Sequence, residues 1–127
     1  MPARFKDLAL DALDHQALAD WWCAALGYLR REPPTGHRQR PPEWPVPIYD
    51  PTGHGPVIWI TPVPEPKTVK NRMHLDVYGH TDEILELGAT LVRRHRERVD
   101  WDVLADPEGN EFCVFTPPKP HMPAAAR

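Results

Sequence analysis

The chain has 127 residues, enough for one folded domain with a real core and too few for two independent cores. Hydrophobic residues make up 41%, which excludes the intrinsically disordered class. A net charge of −3 lacks the basic excess that nucleic-acid binding requires, and no apolar run is long enough for a membrane helix.

Arg4 to Ala12 alternates and predicts a first strand, with Leu8 and Leu10 on one face and Asp7, Ala9 and Asp11 on the other. Asp14 is an N-cap for a helix to about Leu26, whose apolar side carries Leu18, Trp21, Trp22, Ala25 and Leu26. Gly27 closes it, and Tyr28 to Arg31 follows as a short strand. From Glu32 to Pro47 the prolines predict a long loop or a ragged edge strand. Val46 to Tyr49 and Val57 to Val63 then flank the turn Asp50-Pro51-Thr52-Gly53.

The pattern restarts at Arg72 to Tyr78, an alternating strand. Thr81 or Asp82 caps a short helix through Leu87, with Gly88 after it. Leu91 to Arg94, Trp101 to Ala105 and Asn110 to Phe115 supply three more strands, the last two joined by the turn Asp106-Pro107-Glu108-Gly109. Two similar turns, and two runs of helix end, glycine, strand and paired arginines, describe a βαβββ unit written twice. The basic run Arg93, Arg94, His95, Arg96 and Arg98 reads as a solvated loop. Residues 117–127 read as a disordered tail. The first residues contain no apolar secretory core, and Cys23 and Cys113 lie far apart, so a cytoplasmic protein with reduced thiols is expected.

These residues resemble the vicinal-oxygen-chelate superfamily, which contains glyoxalase I, bleomycin- and fosfomycin-resistance proteins and extradiol dioxygenases. The resemblance is carried by Leu10-Asp11, Ala25-Leu26-Gly27-Tyr28, Lys70-Asn71-Arg72-Met73-His74-Leu75-Asp76, Leu87-Gly88-Ala89-Thr90 and Asp106 to Cys113. It implies an α+β fold in which two βαβββ modules, about 4–66 and 70–116, form a curved mixed sheet around a cleft within a single domain, 1–116. It also implies a homodimer. In metal-using members the first, fourth, fifth and eighth strands each give one His, Glu or Gln ligand and leave open positions on the metal.

Only His74 matches that ligand pattern. Alternation places His74, Asp76 and Tyr78 on one face, facing the cleft, and Met73, Leu75 and Val77 on the other. Cys113 stands at the eighth-strand position, either as a soft ligand or as a small buried hydrophobe. For the fourth strand, matching the turns selects Val57, whereas two extra loop residues select Trp59; neither is a ligand. The first-strand position maps near Asp7. His74, Asp7 and Cys113 would make an incomplete set, so no resident metal or other cofactor is expected. Trp59 and Trp101 read either as ligand-stacking walls or as core, Trp44 as a lid or a loop anchor, and Glu111 as inward or solvated. His15, His37, His54, His80, His95 and His121 read as solvated.

Two functions compete. One is a small-molecule-binding protein without chemistry, using Asp7, Trp59, His74, Asp76, Trp101 and Cys113. The other is a metal-dependent lyase, isomerase or dioxygenase in which His74 is ligand or base and Asp76 orients it. Neither includes a nucleic-acid or membrane partner.

Overall fold

The computed structural model describes residues 1–96 and 100–118; Arg98, His121 and most of the expected tail lie outside them. The chain forms two compact units, the first ending at Lys67 and the second beginning at Thr68. Each holds a four-stranded mixed sheet, so the α+β class and the repeated βαβββ order hold.

In the first unit β1 (Leu8–Ala12) leads to α1 (His15–Leu26), then β2 (Leu29–Arg30), β3 (Val46–Tyr49) and β4 (Ile58–Pro62), with sheet order β1-β4-β3-β2. The Asp14 carboxylate accepts the Ala17 N–H as an N-cap, and Gly27 ends the helix at φ 72°. Leu18, Ala19 and Trp22 are the helix residues that bury, against Ile48, Ile58 and Ile60 of the sheet. Trp21 is only partly covered and meets Trp22 edge-on. The proline-rich segment forms turns closed by Pro34 and Pro41 carbonyls and no strand before Val46. His15 and Gln16 both reach the Pro42 carbonyl and tie this segment to α1, so His15 is not simply solvated.

In the second unit β5 (Leu75–Tyr78), α2 (Thr81–Glu86), β6 (Thr90–Arg93), β7 (Trp101–Ala105) and β8 (Glu111–Phe115) repeat the order as β5-β8-β7-β6. Three expectations need correction. The strand begins at Leu75 rather than Arg72, so Met73 lies before it and is 81% exposed instead of sharing a strand face with Leu75 and Val77. The N-cap of α2 is His80 without a side-chain bond, because the Thr81 hydroxyl donates to Asp102 on β7. Finally, α2 buries no residue, so the core of this unit rests on Phe112, Val114 and Leu104 from the strands.

The two Asp-Pro-x-Gly turns are built alike. Asp50 and Asp106 each accept the N–H of the residue two places on, and Gly53 and Gly109 take φ 79° and 89°. Among the described residues no helix is long and apolar enough to cross a membrane.

Candidate functional site

Alternation along β8 sends Phe112 and Val114 into the core and turns Glu111, Cys113 and Phe115 to the opposite face. Register then builds a row across all four strands of the second sheet. Asp76 pairs with Cys113, Cys113 with Val103, and Val103 with Arg93. Arg93 reaches this row through a register shift between Leu91 and Arg93, which leaves Val92 as an extra residue in the edge strand. Directly opposite one another, Trp101 and Phe115 bring their rings to 5.4 Å.

This face is hollowed into a cavity of about 600 Å³. Its apolar wall is Trp101, Val103 and Phe115, and its polar side is His74, Asp76 and Cys113. Lys70 and Arg93 add positive charge. A clasp fixes the chain just before His74: the Asn71 N–H donates to Glu111 Oε1, and the Glu111 N–H donates to Asn71 Oδ1. Glu111 thus borders the cavity with one carboxylate oxygen held by the Asn71 N–H.

His74 Nδ1 lies 3.6 Å from Cys113 Sγ and 3.6 Å from Asp76 Oδ1. The second distance is too long for the orienting hydrogen bond expected of Asp76. Burial pushes the Cys113 thiol up, and the neighbouring Asp76 carboxylate adds to this against Arg93 and Lys70. Cys113 is 4% exposed, so the small-hydrophobe reading describes its packing while its sulfur still borders the cavity.

The equivalent positions of the first unit do different work. Leu8 pairs with Ile58 as Leu75 pairs with Phe112, which aligns Trp59 with Cys113 and Asp7 with His74. The choice between Val57 and Trp59 thus falls to Trp59, because His54 and Gly55 lengthen the first hairpin by two residues. The Trp59 indole N–H donates to Asp7 Oδ2 at 2.8 Å, and Lys6 pairs with the same oxygen at 2.9 Å. These two donors, the indole first, hold the Asp7 carboxyl below its usual range. Trp59 also receives the Lys6 ammonium over its ring. Trp44 is 55% exposed and borders a separate depression of about 260 Å³ in the proline-rich segment.

The donor set therefore does not fit the four-ligand metal centre that the resemblance implies. An indole has no lone pair to offer, and Asp7 already accepts from it. A second polar cluster was not anticipated. Asp102, 7% exposed, accepts from the Thr81 hydroxyl, the His95 N–H and the His95 ring, so His95, its side chain exposed to solvent, is a structural partner as well. Burial acts to raise the Asp102 pKa, but these three bonds outweigh it and leave it lowered.

The model of a glyoxalase-like domain matches residues 7–115. No functionally curated protein matches the chain significantly. Among solved structures, hypothetical protein SA1046 from S. aureus superposes with TM-score 0.60 at 13% identity, covering 91% of this chain and 95% of that one. A possible glyoxalase from Bacillus cereus gives 0.58 at 14%, covering 89% and 99%. A glyoxalase/bleomycin resistance protein/dioxygenase family enzyme from Burkholderia phytofirmans gives 0.56 at 18%, covering 84% and 93%. At these identities the likeness is one of fold.

Proposed function

Since the chain belongs to the glyoxalase-like domain family, we propose that it binds a small, partly planar, oxygen-bearing molecule on the cavity face of its second sheet. One observation carries this reading: a cavity of about 600 Å³, the size of a ligand site, with the Trp101–Phe115 pair on one wall and His74 and Asp76 on the other. Stacking on the aromatic pair holds the planar part, and the imidazole and the cations Lys70 and Arg93 select oxygen atoms on it. Asp7 and Trp59 are engaged with each other and take no part.

The test is a titration with planar phenols and aromatic carboxylic acids followed by tryptophan fluorescence. Saturable quenching in the parent, lost in Trp101→Phe and in Val103→Arg, supports the proposal. Quenching that survives Val103→Arg, or none with any member of the set, overturns it. The reading includes a cytoplasmic homodimer; sedimentation of the purified chain checks the dimer, and cell fractionation the location.

A second reading, an enzyme that uses His74, is favoured by the placement of Nδ1 between Cys113 and Asp76 at 3.6 Å from each. It requires turnover of a bound compound that His74→Ala abolishes without loss of fold.

A further inference from the structure

The cavity face of the second sheet carries its charges unevenly. One row of paired residues crosses all four strands, from Asp76 on β5 through Cys113 and Val103 to Arg93 on β6. Three strand spacings of about 4.8 Å set the two ends of that row roughly 14 Å apart. At the β5–β8 end Asp76 and Glu111 stand with Lys70. Among the described residues, Arg93 is the only charged side chain that β6 and β7 bring to the cavity, and none of them pairs with its guanidinium. Its neighbour Arg94, by contrast, lies 3.8 Å from Asp82. Arg93 arrives through the register shift that makes Val92 an extra residue, so that both line the cavity opposite Val103. Such a bulge re-aims a side chain at the cost of a regular ladder.

We propose that the compound bound on this face is an aromatic carboxylate with a hydrogen-bond donor at the far end of its ring, the carboxylate held by Arg93 and the donor by Asp76. The inference rests on the ligand-binding reading above. It narrows that reading from planar oxygen-bearing compounds in general to one class and one orientation.

Charge and geometry set the orientation together. A guanidinium grips both oxygens of a carboxylate in a fork, which the point charge of Lys70 does not. At the other end two acids face one lysine, so that end repels a carboxylate and leaves it to Arg93. A carboxylate only accepts hydrogen bonds, so Asp76 calls for a hydroxyl or amino group on the ligand. Hydrogen bonds of about 2.8 Å at both ends leave roughly 8–9 Å of the span for the ligand, the length of one ring with a short acidic arm. Cys113 and Val103, small residues in the middle of the row, leave room for that ring. Two places along the same strands, Phe115 and Trp101 supply the aromatic wall it lies against.

Calorimetric titration of the full chain compares 4-hydroxycinnamate with its neutral amide, which lacks the charge, and with cinnamate, which lacks the donor. The hydroxy acid should bind roughly tenfold or more tighter than either, the worth of one hydrogen bond to a charged group. Arg93→Gln should erase the preference over the amide, and Asp76→Ala the preference over cinnamate, each leaving the other preference in place. Arg94→Gln removes the same charge one residue away and should change none of the three affinities. Circular dichroism of each variant separates lost binding from lost fold. Equal binding of acid and amide by the parent overturns the proposal. So does a preference for the acid that survives Arg93→Gln, or one that falls equally in Arg94→Gln. Loss of the carboxylate preference in Asp76→Ala, with the hydroxyl preference kept, overturns the orientation. In all these cases saturable binding of the amide or of cinnamate leaves the ligand-binding reading standing. No heat with any of the three overturns the inference, and the ligand-binding reading falls with it only where the wider fluorescence set gives no quenching either.

Discussion

The two units share a topology and a pairing register, yet they bury different things. In the first, a twelve-residue helix drives Trp22 into the sheet, and the position facing away from that helix is closed by the Trp59–Asp7 bond. In the second, a six-residue helix buries nothing, and the matching position carries Cys113 beside a cavity. The same backbone plan supports one unit devoted to packing and one with an accessible polar face. Trp22→Ala is therefore the largest stability effect expected, about 3–5 kcal/mol in equilibrium denaturant unfolding. Ile84→Ala in α2 should cost only about 1 kcal/mol, since a partly exposed side chain loses part of that transfer energy. Equal losses at the two helices would break the contrast.

The two aspartate turns sharpen it next. Asp106 is 2% exposed and accepts the Glu108 and Asn110 N–H groups and the Asn110 side-chain amide. Asp106→Ala strands those donors, Asn110 among them buried, and should cost about 2–4 kcal/mol. Asp50 makes comparable bonds to Thr52 and Gly55 in a more open setting, where water replaces them. Asp50→Ala should lower the denaturant midpoint by clearly less than Asp106→Ala does.

A third difference is a pH response: whereas the lowered carboxyls of the first unit, Asp7 and Asp50, are only partly covered, it is rooted in Asp102, a buried carboxylate. Its folded pKa is lowered, so its contribution is complete above the unfolded value of about 3.9 and fades as pH falls through the folded value. Acid denaturation curves should show Asp102→Asn less stable than the parent at neutral pH, with the gap narrowing below about pH 4.

Local signals in the sequence were enough for the doubled unit. Asp14, Gly27 and both Asp-Pro-x-Gly turns act within a few residues, and they lie where their chemistry puts them. Period-two alternation, which is also local, puts His74 and Asp76 on one face, whereas it leaves Trp101 open between wall and core. What stayed hidden depends on pairs distant in the chain. The Asn71–Glu111 clasp starts β5 at Leu75 and frees Met73, and alternation alone has no access to it. The extra residue Val92 carries Arg93 onto the cavity face only once β6 has paired with β7. His95 looked like one more charge in a basic run because its partner Asp102 sits on another strand. At the site, alternation already sets Asp76 beside His74; what only register supplies is the pairing of Asp76 with Cys113, while Asp7 bonds to Trp59.

A last pair of small effects tests whether the repeat is real at the level of backbone. Gly53 and Gly109 hold φ 79° and 89°, a region that costs a side-chain-bearing residue about 1–2 kcal/mol. A Cβ on Gly53 meets nothing within 4 Å, so Gly53→Ala reports that conformational cost alone. If the hairpins are one local device used twice, Gly109→Ala should destabilise by a similar amount in the same unfolding assay. The paired measurement then separates two layers of the design. Equal glycine costs beside unequal aspartate costs would locate the difference between the units in what surrounds each turn, not in the turn itself. Unequal glycine costs would mean that the two hairpins only look alike in sequence.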